Sequence, residues 1–213
     1  MSVSTKAFSI GEALSFGWET TKSNFPYFVG LLVIAALVDG VPQFIGNRSG
    51  SQSAAALMNL VGFLLNLFIS IGITKISLEF CDRRSPGLAD LFSGGPVYLS
   101  YLLASILFSL MVGIGLVFFV VPGIVLAIVF QFFSYVIVDR GLGPMAALSR
   151  SAAITKGVRW NLFGLALVLV GLNLLGLLAL VVGLFVTVPI TIVAIAYVYR
   201  KLDAQTGAVP VLA

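Results

Sequence analysis

Acid–base and metal chemistry in this 213-residue chain rests on eight carboxylates, twelve basic residues and a lone cysteine, Cys81, because histidine is absent. A Ser-His-Asp or Cys-His nucleophile needs an imidazole, a zinc site of the usual ligand set needs several His or Cys, and a disulfide needs a second thiol. None of these can be built. The sequence therefore presents no catalytic residue, no metal ligand set and no cofactor motif. Gly164, Gly171, Gly176 and Gly183 lack the strand context and the Gly-Lys-Ser/Thr ending of a nucleotide-binding loop, so they read as sites of close helix packing.

Two groups of residues remain as candidates. Asp39 is the carboxylate that falls inside an apolar run, where ionisable groups are costly enough to mark ion or proton sites. The competing reading is an interfacial residue at a break over Asp39-Gly40-Val41-Pro42, hydrated or met by Arg48. Arg140, Arg150, Lys156 and Arg159 form the second group, which suits contact with anionic lipid headgroups or a protein partner at about 1 kcal/mol per charge near the surface. Such charges also serve simply to hold a loop on one side of a membrane. Among uncharged residues, Asn59 and Asn66 are seven apart and share a helix face, while Gln131, Ser134 and Asn173 are further polar residues in apolar runs. These either line a path or join helices by hydrogen bonds. Lys75, Glu79 and Arg83, four apart, form a solvated helix end with pairings of about 0.3–0.5 kcal/mol.

The elements that carry these residues follow from composition. Sixty per cent of the chain is hydrophobic, 9% is charged, and the mean hydropathy is +1.13. A soluble domain needs far more polar surface, so the chain reads as an all-α, polytopic transmembrane bundle forming a single domain over 1–213. Spans are expected at about 25–46, 54–74, 97–115, 118–138, 161–178 and 183–200. The long apolar stretches 97–138 and 161–199 are each about twice the bilayer thickness and must fold back, near Gly113 to Pro122 and Gly176 to Pro189. Pro189 is then a kink within the last span. The six spans pair as three hairpins.

Eleven of the twelve basic residues fall on one side of this arrangement, leaving Arg48 opposite. Positive loops are retained in the cytoplasm, which predicts a multi-pass protein of a bacterial-type cytoplasmic membrane with both termini inside. The polar first twenty-four residues do not fit a cleavable signal peptide. Ala13-Leu14-Ser15, Thr21-Lys22 and Gly30 recur 134 residues later as Ala147-Leu148-Ser149, Thr155-Lys156 and Gly164. Asp82-Arg83, Pro86 and Leu91 echo Asp139-Arg140, Pro144 and Leu148. The simplest unit is a short interfacial helix before each hairpin. The first is expected at about 10–23, started by a capping box Ser9-Ile10-Gly11-Glu12 with Phe8 and Ala13 as its staple. It reads as an amphipathic helix at headgroup level, with Ile10, Leu14, Trp18 and Thr21 on one face and, Phe16 excepted, Glu12, Ser15, Glu19 and Lys22 on the other. Ser85-Pro86 and Gly143-Pro144 mark the starts of the other two. Trp160 is an expected interface anchor.

The run Phe8-Ser9-Ile10-Gly11-Glu12-Ala13-Leu14 carries a family likeness. So does Tyr135-Val136-Ile137-Val138-Asp139, leading through Gly143-Pro144 and Ala147-Leu148-Ser149-Arg150-Ser151 to Lys156-Gly157 and Trp160. Together they resemble the YciC-type integral membrane proteins and are similar to the membrane domain attached to some glycerophosphoryl diester phosphodiesterases. The resemblance extends over nearly the whole chain and implies the helical membrane fold. It implies no reaction, because the phosphodiesterase chemistry belongs to a separate soluble domain that has no counterpart here. The sequence thus points to a non-enzymatic membrane protein that binds membrane lipids, anionic ones by charge, or a protein partner or further copy, through a cytoplasmic rim. Nucleic acid is not an expected partner, since the positive charge is spread around a membrane interface. The alternative is a small transporter or channel with a site near Asp39 and the proline-broken helices.

Overall fold

The computed structural model describes residues 7–179 and 182–207, and these are helical throughout apart from short connections. Helix α1 (Ile10–Ser23) is followed by α2 (Phe25–Arg48) and α3 (Gln52–Cys81). Two 3-10 turns, Leu88–Phe92 and Gly95–Val97, lead into α4 (Tyr98–Phe118), α5 (Val120–Phe130) and α6 (Phe133–Arg140). The chain ends with α7 (Pro144–Thr155), α8 (Arg159–Leu178) and α9 (Leu184–Thr206). Six stretches are long and apolar enough to cross a membrane, with α5 and α6 together making one of them. The protein is an all-α polytopic bundle, and its spans pair as α2/α3, α4/α5–α6 and α8/α9.

Helix α1 starts where its cap dictates. The Ser9 hydroxyl accepts from the Glu12 amide at 3.3 Å, and Phe8 and Ala13 are both buried beside it. It meets the rest of the bundle through small residues. Ala13, Gly17 and Thr21 are buried against α9, while Trp18 is 51% exposed. A Cβ on Gly17 would lie 2.7 Å from the Ile190 carbonyl oxygen, so the small residues let two backbones approach where a larger apolar face could not.

Two span ends also moved. Pro42 does not break α2, which continues as helix to Arg48 with the proline ring seated on Gly62. Helix α3 passes Lys75 and runs to Cys81, because Ile76, Ser77 and Leu78 are buried and Lys75 is held from the side by Asp90 at 2.9 Å and Ser93 at 3.0 Å.

The three short elements before the hairpins are not equivalent. Before the second hairpin there is no α-helix at Pro86 but the two 3-10 turns, in the first of which the Asp90 carboxylate accepts from the Gly87 amide at 2.8 Å. That turn is pressed into α3. Leu91 is fully buried, and a Cβ on Gly72 would lie 2.3 Å from the Leu91 carbonyl oxygen. Before the third hairpin α7 starts at Pro144 as expected, but it is not a surface helix. Ala147, Leu148, Arg150, Ser151, Ile154 and Thr155 are all buried as it packs among α4, α5, α6 and α9.

The second hairpin reverses at a single extended residue, Phe119, within the expected turn. Its descending limb is interrupted at Gln131 and Phe132, between α5 and α6. An opened helix inside a membrane needs its freed backbone groups satisfied. Here α7 supplies the partners: Ser151 Oγ donates to the Val129 carbonyl at 3.0 Å and accepts from the Phe132 amide at 3.1 Å, and Thr155 Oγ1 reaches the same carbonyl at 3.1 Å. Helix α9 runs through Pro189 without interruption.

Candidate functional site

The expected basic cluster divides into an inner and an outer pair. Arg150 projects from α7 into the bundle and is 8% exposed, facing Asp203 of α9, which is 7% exposed. Arg150 Nη2 and Nε lie 2.7 Å and 3.0 Å from Asp203 Oδ1, and Nη2 also donates to the Gly207 carbonyl at 2.8 Å. Arg140, at the end of α6, takes the other oxygen of Asp203. The expectation of lipid contact at Arg150 is therefore corrected, since its charge is enclosed and matched by a carboxylate. Arg140 remains partly exposed but is committed to the same acid.

The inner pair belongs to a larger assembly. Arg200 of α9 donates from Nη1 to Asp139 at 2.6 Å and from Nη2 to Asp82 at 2.7 Å, and the Tyr199 hydroxyl reaches Asp139 at 3.0 Å. Asp82 caps α3, and Asp139 and Asp203 lie in the last turns of α6 and α9, so the three acids mark the ends of the closing limbs of the three hairpins. Three arginines bind these three acids and so lock the hairpins together at one end of the bundle. Forked guanidinium groups suit this bridging better than ammonium groups, because each presents several donors in a fixed plane.

The outer pair is different. Lys156 caps α7, Arg159 opens α8, both are exposed, and neither has an ion-pair partner among the described residues. Arg159 and Trp160 stand with Phe163 along one wall of a groove of about 410 Å³, whose other wall is Val121, Ile124, Val125 and Ile128 of α5. Trp160 is 83% exposed at its edge. The site thus places an unpaired positive charge at an apolar groove.

Asp39 is exposed on α2 and lines a separate groove with Gln43, Asn59, Gly62, Phe63 and Asn66. The seven-residue spacing of Asn59 and Asn66 does bring them to one face. Asn173 instead joins helices, donating to the Leu169 carbonyl at 2.9 Å and to Thr191 Oγ1 of α9 at 2.8 Å. Gln131 donates locally to the Ile128 carbonyl at 3.2 Å. No cluster of three or more potential metal ligands occurs among the described residues.

Asp82, Asp139, Asp203 and Arg200 were not among the sequence candidates. One signal could have found two of them: the repeated Asp-Arg dipeptide at 82–83 and 139–140 places an acid at the same point of two hairpins. The pairings themselves join residues 53 to 118 positions apart, beyond any local pattern.

No family model matches the chain, and no solved structure matches it. It is similar to the uncharacterised protein Mb2590 of Mycobacterium bovis and to the uncharacterised proteins MT2637 and Rv2560 of Mycobacterium tuberculosis. Each is 24% identical over an alignment of 229 residues that takes in 93% of this chain and 70% of the relative.

Proposed function

We propose that the protein is a non-enzymatic, multi-pass component of a bacterial cytoplasmic membrane that binds anionic lipid at its cytoplasmic rim, with both termini on that side. The observation that carries this reading is the unpaired Arg159 lining an apolar groove, with the unpaired Lys156 three residues before it. A phosphate or phosphatidylglycerol-type headgroup would meet the two cations, and one acyl chain would lie along Val121, Val125 and Ile128. Trp160 suits the boundary between the two regions, since its ring is apolar and its indole N–H is a donor. The likeness to YciC-type proteins is part of the same proposal.

The transport alternative draws less support. Of its two prolines, Pro122 lies in the first turn of α5, just after the reversal at Phe119, and Pro189 lies inside an unbroken α9. Among the described residues the interruption within a span, at Gln131–Phe132, has its Val129 carbonyl and Phe132 amide held by α7.

Extraction into native nanodiscs followed by mass spectrometry of retained lipid tests the proposal. Wild-type protein is expected to keep anionic phospholipid, and a Lys156→Gln/Arg159→Gln variant to keep much less. Equal retention by the two would refute the site.

A further inference from the structure

The groove that holds Asp39 opens away from the bundle, on the outer face of the α2/α3 hairpin. Asp39, Gln43, Asn59 and Asn66 are all exposed there. Among the described residues, no hydrogen bond or ion pair reaches Asp39, Gln43 or Asn59. Asn66 accepts one long bond, from the Ser70 hydroxyl at 3.5 Å, which leaves its amide N–H groups free.

Depth makes this costly. Asp39 is nine residues from the end of α2 at Arg48, about 13 Å, and Asn66 is fourteen residues, about 21 Å, into α3, which by the Pro42–Gly62 contact starts about four residues farther out, so the row reaches well into a hydrocarbon layer about 30 Å thick. Water at the outer interface serves the shallow end of the row only. Uncharged amides and a carboxylate turned toward lipid at this depth require partners.

The neighbouring residues are shaped for another helix. Ala36 and Gly40 lie one turn apart on the face of α2 that carries Asp39 and Gln43, and a Cβ on Gly40 would meet nothing within 4 Å. Small residues four apart, flanked by amides, are what close association of membrane helices uses.

The row is also complementary to itself. Asp39 only accepts, whereas Gln43, Asn59 and Asn66 both donate and accept. The contacts Pro42–Gly62 and Gly46–Ala55 set the hairpin register, which places Asp39 near the depth of Asn66. A two-fold rotation about the membrane normal keeps every residue at its own depth, so the free Asn66 amide of one copy meets Asp39 of the other. A bound cation would satisfy the acceptors and leave the amide donors unmet. We propose that the chain forms a two-fold homodimer in the membrane through the Asp39, Gln43, Asn59 and Asn66 face of α2 and α3.

The test uses full-length protein in phospholipid vesicles, with Cys81→Ser removing the native thiol. Gln43→Cys and Phe63→Cys line the groove, and Leu174→Cys, exposed on α8, is the lipid-facing control. Under mild oxidation the groove cysteines are expected to form covalent dimer severalfold faster than Leu174→Cys. Asp39→Leu/Asn66→Leu exchanges exposed polar groups for side chains a bilayer accepts, so it keeps the hairpin; energy transfer between labelled copies is expected to fall by most of its wild-type value. Groove cysteines that cross-link no faster than Leu174→Cys would overturn the proposal. So would energy transfer unchanged in the double variant, or Asp39-dependent solute flux by protein that shows no energy transfer.

Discussion

Arg150 of α7 and Asp203 of α9 face each other inside the bundle, with Nη2 2.7 Å from Oδ1 and both side chains more than nine-tenths buried. This pair turns a helix that sequence placed on the membrane surface into a strut between the second and third hairpins. Its neighbour Arg159, nine residues on, has no such acid and stays exposed. Two arginines nine residues apart therefore differ in setting, one enclosed and paired in the fold and one exposed with no ion-pair partner among the described residues.

Removing the acid should destabilise the protein strongly, because Arg150 is then left enclosed with no carboxylate: Asp203→Asn is expected to cost about 3–5 kcal/mol. Arg150→Ala should cost less, since Asp203 keeps Arg140. Arg150→Lys should recover only part of this, since an ammonium group cannot hold Asp203 and the Gly207 carbonyl with the same planar fork. Denaturant unfolding in mild detergent measures the order. Arg159→Ala, on the exposed side, should leave the midpoint near wild type.

The interrupted span gives a second expectation. Ser151→Ala removes the partner of both the Val129 carbonyl and the Phe132 amide, and a buried unsatisfied group costs about 1–3 kcal/mol. Thr155 still reaches the Val129 carbonyl in that variant, so Ser151→Ala/Thr155→Val should lose more than Ser151→Ala alone. The same unfolding assay, read as the difference between single and double variants, decides this.

Orientation can be read directly from accessible thiols. In a Cys81→Ser background, Ser51→Cys lies in the exposed turn between α2 and α3, and Ser85→Cys in the exposed segment after α3. A membrane-impermeant maleimide added to intact cells should label the first and spare the second, and inverted vesicles should reverse the pattern. Labelling of Ser85→Cys from outside would reverse the proposed topology.

The parts of the fold that sequence revealed are those with a one-dimensional cause. Apolar length set the six spans, Ser9 set the start of α1, and an uncharged stretch from Val97 to Val138 about twice the bilayer thickness forced a reversal that fell at Phe119. The break at Gln131 was hidden because its cause is elsewhere: two hydroxyls of α7 make an open backbone tolerable. The burial of α7 was hidden for a similar reason, as its small residues and Arg150 look like a weakly amphipathic surface helix until Asp203 is brought against it. Within the candidate site, charge alone selected Arg140, Arg150, Lys156 and Arg159 together. Only the pairing with Asp203 separates them, and only the position of α5 reveals the groove beside Arg159.

The proposed lipid site, Lys156 and Arg159 on the headgroup with the acyl chain beside Trp160, can be read from tryptophan fluorescence. The chain has two tryptophans, so Trp18→Phe leaves Trp160 as the reporter. Its fluorescence can be measured in vesicles carrying bromine on the acyl chains of either phosphatidylglycerol or phosphatidylcholine, at equal mole fraction. Stronger quenching by the anionic lipid is expected, with the preference abolished by Lys156→Gln/Arg159→Gln. Equal quenching by the two lipids, or a preference that survives the double substitution, would contradict it.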